Sequence, residues 1–151
     1  MSFAYWDTSC ILKILQNEKG ASFLQSQLDP IKPVLISTLG FLEFESVVYR
    51  QHRKGLISFP VVQKLESQFL LFLDQKQIVI IRLENDLVKL AIDLVQSYGQ
   101  SKECQTYDAL HLATAIELHK RGNLAAFVTA DRTLLKLAQD QSLPTIDPET
   151  V

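Results

Sequence analysis

Apolar positions along this chain follow two spacings, and the changes between them mark out its elements. Residues 3–6 (FAYW), 34–37 (VLIS), 78–81 (IVII) and 125–129 (AAFVT) are short, nearly continuous apolar runs. That is the pattern of strands covered on both faces. Residues 143–146 fit a short edge strand, limited by Pro144 and Pro148. Between these runs the apolar spacing lengthens to threes and fours. Asp7, Thr8 and Ser9 offer capping side chains ahead of CILKIL, and Gly20 stops that helix. A second helical stretch over 21–28 ends at Asp29-Pro30. A helix over 39–54 stops at Gly55, and in 58–75 Val61, Val62, Leu65, Phe69, Phe72 and Leu73 recur at helical spacing. An amphipathic helix over 84–98 ends at Gly99. Thr106 is placed to cap a helix over 107–121 that is apolar almost all round between Ala109 and Leu118, which predicts burial. A short helix over 132–139 completes the series.

Strands alternating with helices, without repeat or linker, predict one domain over 1–151: an α/β sandwich around a mainly parallel sheet. Ligands of such sheets bind beyond the carboxyl ends of the strands, where loops enter helices. Composition agrees with a folded chain, 47% hydrophobic and 21% charged. No run approaches the roughly 18 apolar residues of a membrane span. The start MSFAYWDTSC lacks the basic opening of a signal peptide, and Cys10 and Cys104 stand far apart in no metal-like spacing. A reducing, cytoplasmic location is the expectation. With 15 Lys+Arg against 17 Asp+Glu the formal charge is -2, which at first argues against a strongly basic nucleic-acid surface.

Candidate chemistry rests on acids. Asp7 directly follows the first strand and Asp131 follows AAFVT, both where the strand-end rule points. Each also suits a plain helix cap, although Cys10 and Leu134 occupy the positions where Glu or Gln would complete a capping box. Asp108 lies in the first turn of the most apolar helix, where the helix dipole favours it by about 0.3–1 kcal/mol. If buried, it requires a cation or a positive neighbour. In LGFLEFESVVYR, periodicity places Glu45 between Phe41 and Tyr49 and leaves Glu43 on a solvated face. His111, one turn after Asp108, reads first as a packed, hydrogen-bonded core histidine. His52 and His119 are expected at the surface, and the three histidines lack zinc-ligand spacing. There is no phosphate-binding glycine loop, no GxSxG elbow and no cysteine–histidine pairing. Carboxylates remain, and these suit hard cations such as Mg²⁺ or Mn²⁺.

Four segments taken together, YWDTS at 5–9, ISTLGFLEFESVVYR at 36–50, YDALHLATA at 107–115 and FVTADRTLLKLA at 127–138, resemble PIN-domain nucleases. Among these they are similar to the VapC-type toxins of bacterial toxin–antitoxin pairs. The resemblance implies a three-layer α/β/α PIN-like fold and an acidic quartet on Asp7, Glu43, Asp108 and Asp131. It selects Glu43 over Glu45 by its distance from the strand-end Ser37, against the periodicity; Glu45 is the fallback. Thr8, Ser9 and Thr129 match hydroxyl positions that line such sites, and His111 matches a position without a generally assigned catalytic role. It further implies Mg²⁺- or Mn²⁺-dependent cleavage of RNA by metal-activated water, an antitoxin partner and a homodimer; the expectation of no membrane partner rests on the lack of a long apolar run.

RNA contact calls for positive charge near the acids. Arg50, Arg53 and Lys54 cluster at the end of the Glu43 helix, and Arg132 follows Asp131. Lys and Arg at a helix end also answer the helix dipole, so the cluster has two readings. The stripe Val61, Leu65, Phe69, Phe72 reads first as core, and second as a surface for a homodimer or an antitoxin helix. Two other function classes stand beside the nuclease. One is a PIN-fold RNA- or protein-binding regulatory module with a degenerate site. The other is a small-ester phosphohydrolase, disfavoured because DTS lacks the second aspartate of an Asp-x-Asp motif.

Overall fold

In chain order the computed structural model, which describes residues 1–151, runs β1 (Phe3–Trp6), α1 (Thr8–Leu15), α2 (Ala21–Ser26), β2 (Val34–Ser37), α3 (Thr38–Arg53) and α4 (Phe59–Asp74). It continues with β3 (Ile78–Ile81), α5 (Asn85–Tyr98), α6 (Thr106–Lys120), β4 (Leu124–Val128), α7 (Arg132–Asp140) and β5 (Thr145–Ile146). The five strands form one sheet in the order β3-β2-β1-β4-β5, and every neighbouring pair is parallel. The expectation of a mainly parallel sheet is met by a wholly parallel one.

Alternation along β1 divides the interior in two. Tyr5 turns to one face, where Leu35 and Phe127 pack with residues of α5, α6 and α7. Trp6 turns to the other, where Val34, Ile36, Ala126 and Val128 pack with residues of α1 to α4. Helices therefore cover both faces, giving three α/β/α layers. The topology explains the division: β1 to β3 progress one way across the sheet, and the chain then returns to add β4 and β5 on the far side of β1. Right-handed crossovers put connections made in opposite directions on opposite faces.

Three local readings change. β3 is an edge strand, so Val79 and Ile80 stay more than a third exposed instead of being covered. The inward face of α4 centres on Val62, Leu65 and Phe69, with Phe72 half-buried; Val61 faces outward. The N-cap of α6 is Gln105 and not Thr106. Burial of Ala109 and of residues 111–116 follows the all-round apolar pattern of that helix. No helix is long and apolar enough to cross a membrane.

Candidate active site

β1 and β4 lie side by side at the point where strand order reverses, which is where an open α/β sheet leaves a crevice at its carboxyl edge. Asp7 is the first residue beyond β1, and its backbone N–H bonds the Val128 carbonyl at the end of β4. Although Asp7 stands at the N-cap position of α1, its side chain makes no capping bond. Its carboxylate accepts from Ser9 Oγ at 2.7 Å on Oδ1 and from Thr129 Oγ1 at 2.7 Å on Oδ2. Cys10 Sγ adds a longer contact at 3.4 Å. Asp7 is only 5% exposed, and no Lys, Arg or His pairs with it. A buried carboxylate without a positive partner is costly, so this arrangement favours a bound cation.

Asp131 and Asp108 each serve a helix as well as the cavity. Asp131 Oδ1 caps α7 by accepting from Leu134 N at 3.0 Å, while its own N–H donates to Thr129 Oγ1 at 3.1 Å. Asp108 Oδ2 accepts from Gln105 N at 3.0 Å and closes a capping box with the Gln105 side chain. The capping reading of Asp131 is thus correct, Asp108 joins a cap as well as sitting in the first turn, and each keeps a second oxygen for other work. Burial raises the Asp108 carboxyl above its ordinary range; the Gln105 N–H offsets part of this and the negative charge of Asp131 adds to it. The two acids feel each other, as acids converging on one crevice must.

The fourth acid is Glu43, from α3. Its Oε1 accepts from Thr8 Oγ1 at 3.0 Å and lies 2.7 Å from His111 Nε2, while His111 Nδ1 lies 2.8 Å from the Tyr5 hydroxyl. Burial opposes a charge on His111, but Tyr5, Glu43 and Asp7 outweigh it and lift the imidazole to about 10. Glu45, which periodicity nominated, sits elsewhere against Glu66 of α4, its carboxyl raised to about 7 by burial and by that neighbour. Helix α3 packs on more than one side, so a one-face reading misassigned the pair.

Asp7, Glu43, Asp108 and Asp131 line one cavity of about 220 Å³, together with Thr8, Ser9 and His111. Thr129 does not line it but supports Asp7 from below. Arg50, Arg53, Lys54 and Arg132 are exposed and lie outside its lining. A larger groove of about 690 Å³ lies among β3, α5 and the end of α6, and its lining carries charges of both signs. Cys10 is fully buried, and burial together with Asp7 pushes its thiol well up, so it stays protonated and is no nucleophile. His52 is half-buried and bonds the Ile57 carbonyl at 2.9 Å, closing the α3–α4 turn. His119 is exposed as expected.

Two groups escaped the sequence reading. Tyr5 reads as core by its run, and only the fold brings its hydroxyl to His111. Tyr107 is 53% exposed and lines the cavity beside Asp108. An exposed aromatic next to a candidate acid was the signal that was available.

As placed, no three His, Cys, Asp or Glu side chains are close enough to hold one ion. The donor chemistry nevertheless fits a hard divalent cation. All four acids offer oxygen, Asp7 lacks a positive partner, and Asp108 and Asp131 each keep an oxygen outside their capping bonds.

The PIN domain model matches residues 4–140. The chain belongs to the PIN domain family. Among solved structures it is similar to a toxin–antitoxin complex from Klebsiella pneumoniae, with 18% identity and a TM-score of 0.60 over 98% of this chain and 99% of that one. It is also similar to VapBC2 from Rickettsia felis bound to a DNA fragment from its promoter, with 15% identity and a TM-score of 0.69 over 95% and 97%. FitAcB from Neisseria gonorrhoeae gives 16% identity and a TM-score of 0.69 over 99% and 100%. At these identities the likeness is one of fold. Among curated proteins no sequence matches.

Proposed function

We propose that this PIN domain is a Mg²⁺- or Mn²⁺-dependent endoribonuclease, acting in the cytoplasm as the toxin of a VapC-type toxin–antitoxin pair. The observation that carries the reading is the convergence of Asp7, Glu43, Asp108 and Asp131, from four separate elements, on one cavity at the switch point of the sheet. Asp7, Asp108 and Asp131 would hold the cation, with Glu43 completing the set. When bound, the cation neutralises phosphate charge and acidifies a water for attack on phosphorus. Ser9 and Thr129 orient Asp7 by occupying one lone pair on each oxygen. Thr8 and His111 do the same for Glu43 through a single oxygen, Oε1. Arg50, Arg53, Lys54 and Arg132 supply positive charge for the RNA outside the cavity. An antitoxin chain and a second copy of the protein are the expected partners, and the toxin–antitoxin complex among the similar structures supports the first of these.

One observation favours a second reading, a binding module with a degenerate site: no three of the acids are close enough to share one ion as placed. Two measurements separate the readings. Mn²⁺ at 100 times its dissociation constant adds about 2.7 kcal/mol of stability. For a chain of this size that raises the melting temperature by roughly 5–10 °C. Single-stranded RNA is then cut in Mg²⁺ or Mn²⁺, and Asp7→Asn, Asp108→Asn and Asp131→Asn each lower kcat by on the order of 10²–10³, the cost of losing one preorganised charge. Undiminished cleavage in all three folded variants would falsify the site. Absence of both the thermal shift and cleavage at millimolar metal favours the binding module instead.

A further inference from the structure

We propose that Tyr5 and His111 are positioning residues that fix the Glu43 carboxylate from inside the protein core, a reading that rests on the nuclease site above. Tyr5 is 0% exposed and His111 2%, so neither meets solvent. The chain of contacts runs from Tyr5 Oη to His111 Nδ1 at 2.8 Å, then from His111 Nε2 to Glu43 Oε1 at 2.7 Å. Its three members come from β1, α6 and α3, so the contact ties the sheet and both helix layers together at the site.

The hydroxyl is the part that gives this chain a direction. A buried imidazole needs both ring nitrogens satisfied. A tyrosine hydroxyl can donate to Nδ1 or accept from it. Nε2 therefore carries a hydrogen towards Glu43 whether the ring is neutral or charged. A carbonyl in place of the hydroxyl would only accept. Tyr5 is itself held by stacking on Phe127, with ring centroids 5.3 Å apart and planes 26° apart. A glutamate on a helix surface otherwise samples several rotamers, and fixing one normally costs conformational entropy. Here His111 and Thr8 hold Oε1, and Oε2 is the oxygen left for the site.

The first test needs neither metal nor RNA. Nitrogen NMR of the metal-free protein follows the His111 ring in the wild type, Tyr5→Phe and Glu43→Gln. Tyr5→Phe is expected to move the Nδ1 signal and Glu43→Gln the Nε2 signal, each with the melting transition still cooperative. Signals that stay fixed in both variants overturn the proposal. The second test is a kinetic cycle with Mn²⁺ and single-stranded RNA. Tyr5→Phe and His111→Gln are expected to lower kcat about 10-fold, within the range for outer-shell partners of metal sites. KM should stay within about twofold, and the loss should vanish in a Glu43→Gln background, because residues acting through one group are not additive. Costs that persist undiminished without Glu43 overturn the positioning role. Wild-type protein that cuts no RNA while the NMR shifts appear sinks the nuclease reading and leaves the anchoring of Glu43 standing.

Discussion

Glu43 and Glu45 are two positions apart on α3 and meet different neighbours. Phe44 and Val48 point into the core, so the two glutamates flank that face, Glu43 beside Thr8 of α1 and Glu45 beside Glu66 of α4. Periodicity assumes one buried face and therefore sent one of them to solvent. The order of the acidic motifs along the chain was legible; a choice between two flanks of one helix was not. Tyr5 was hidden for a related reason, since its partner His111 is distant in sequence and a strand residue in an apolar run reads only as core. The position of Glu45 has a consequence for stability. Its carboxyl titrates near 7 instead of 4.5, because burial and Glu66 disfavour the charge. The folded state then binds more protons than the unfolded chain between those values, so stability falls as pH rises from about 4.5 to about 7. Glu45→Gln removes that loss. Solvent screening of this partly exposed pair leaves only a fraction of the full value of the shift, roughly 1 kcal/mol. Thermal melts should therefore show the variant gaining little at pH 4.5 and about 2–4 °C at pH 8. An equal gain at both pH values would trace the effect to something other than the carboxyl.

Elements followed the apolar spacing closely, because strands covered on both faces and helices with one apolar stripe leave distinct patterns. What the spacing could not report is which strand lies at the edge or which distant segment rests on a turn. Gly20 illustrates the second limit. It reads as a helix stop, and it is the N-cap of α2, but its φ is +91° and a Cβ there would stand 2.8 Å from the Pro148 carbonyl oxygen. The same C-terminal segment is tied to α1 by a 2.6 Å contact between Lys13, largely buried, and Glu149. Two conditions thus select glycine at one position, a left-handed backbone and a close approach. Gly122 offers the control, with φ +72° and nothing within 4 Å of the point where a Cβ would stand. Gly122→Ala should cost about 1–2 kcal/mol for the left-handed backbone alone. Gly20→Ala should cost clearly more, since Pro148 must also move. Denaturant melts of the two variants decide it; equal losses would mean that the contact with Pro148 carries no weight.

Across the whole molecule, the charge of -2 misleads until the acids are located. Setting aside Asp7, Glu43, Asp108 and Asp131 leaves 15 Lys+Arg against 13 Asp+Glu, so the remaining surface is weakly basic. A single-stranded RNA approaching the cavity meets positive charge in one direction above all. Glu43, Val47 and Arg50 share one face of α3 by their spacing, the C-cap Lys54 extends that face, and Glu43 and Val47 line the cavity. Arg50 and Lys54 therefore continue that line about 10 and 16 Å from Glu43 at 1.5 Å per residue. Arg53 points roughly 80° off the line at 3.6 residues per turn. Tyr107 offers a different contact at the rim, a half-exposed ring on which a base can stack. These contacts differ in their dependence on salt. Measured without added metal in an Asp131→Asn background, where cleavage is slowest, Arg50→Ala and Lys54→Ala should each reduce the slope of log affinity against log salt by about 0.7, one phosphate contact on a single strand. Arg53→Ala should leave the slope nearly unchanged. Tyr107→Ala should weaken binding by roughly 1–3 kcal/mol at every salt concentration, whereas Tyr107→Phe should retain it, because the ring and not the hydroxyl stacks. A uniform fall in slope for all three basic residues would point instead to a diffuse field around the end of α3, and the line from Glu43 would then have no special part in guiding RNA to the acids.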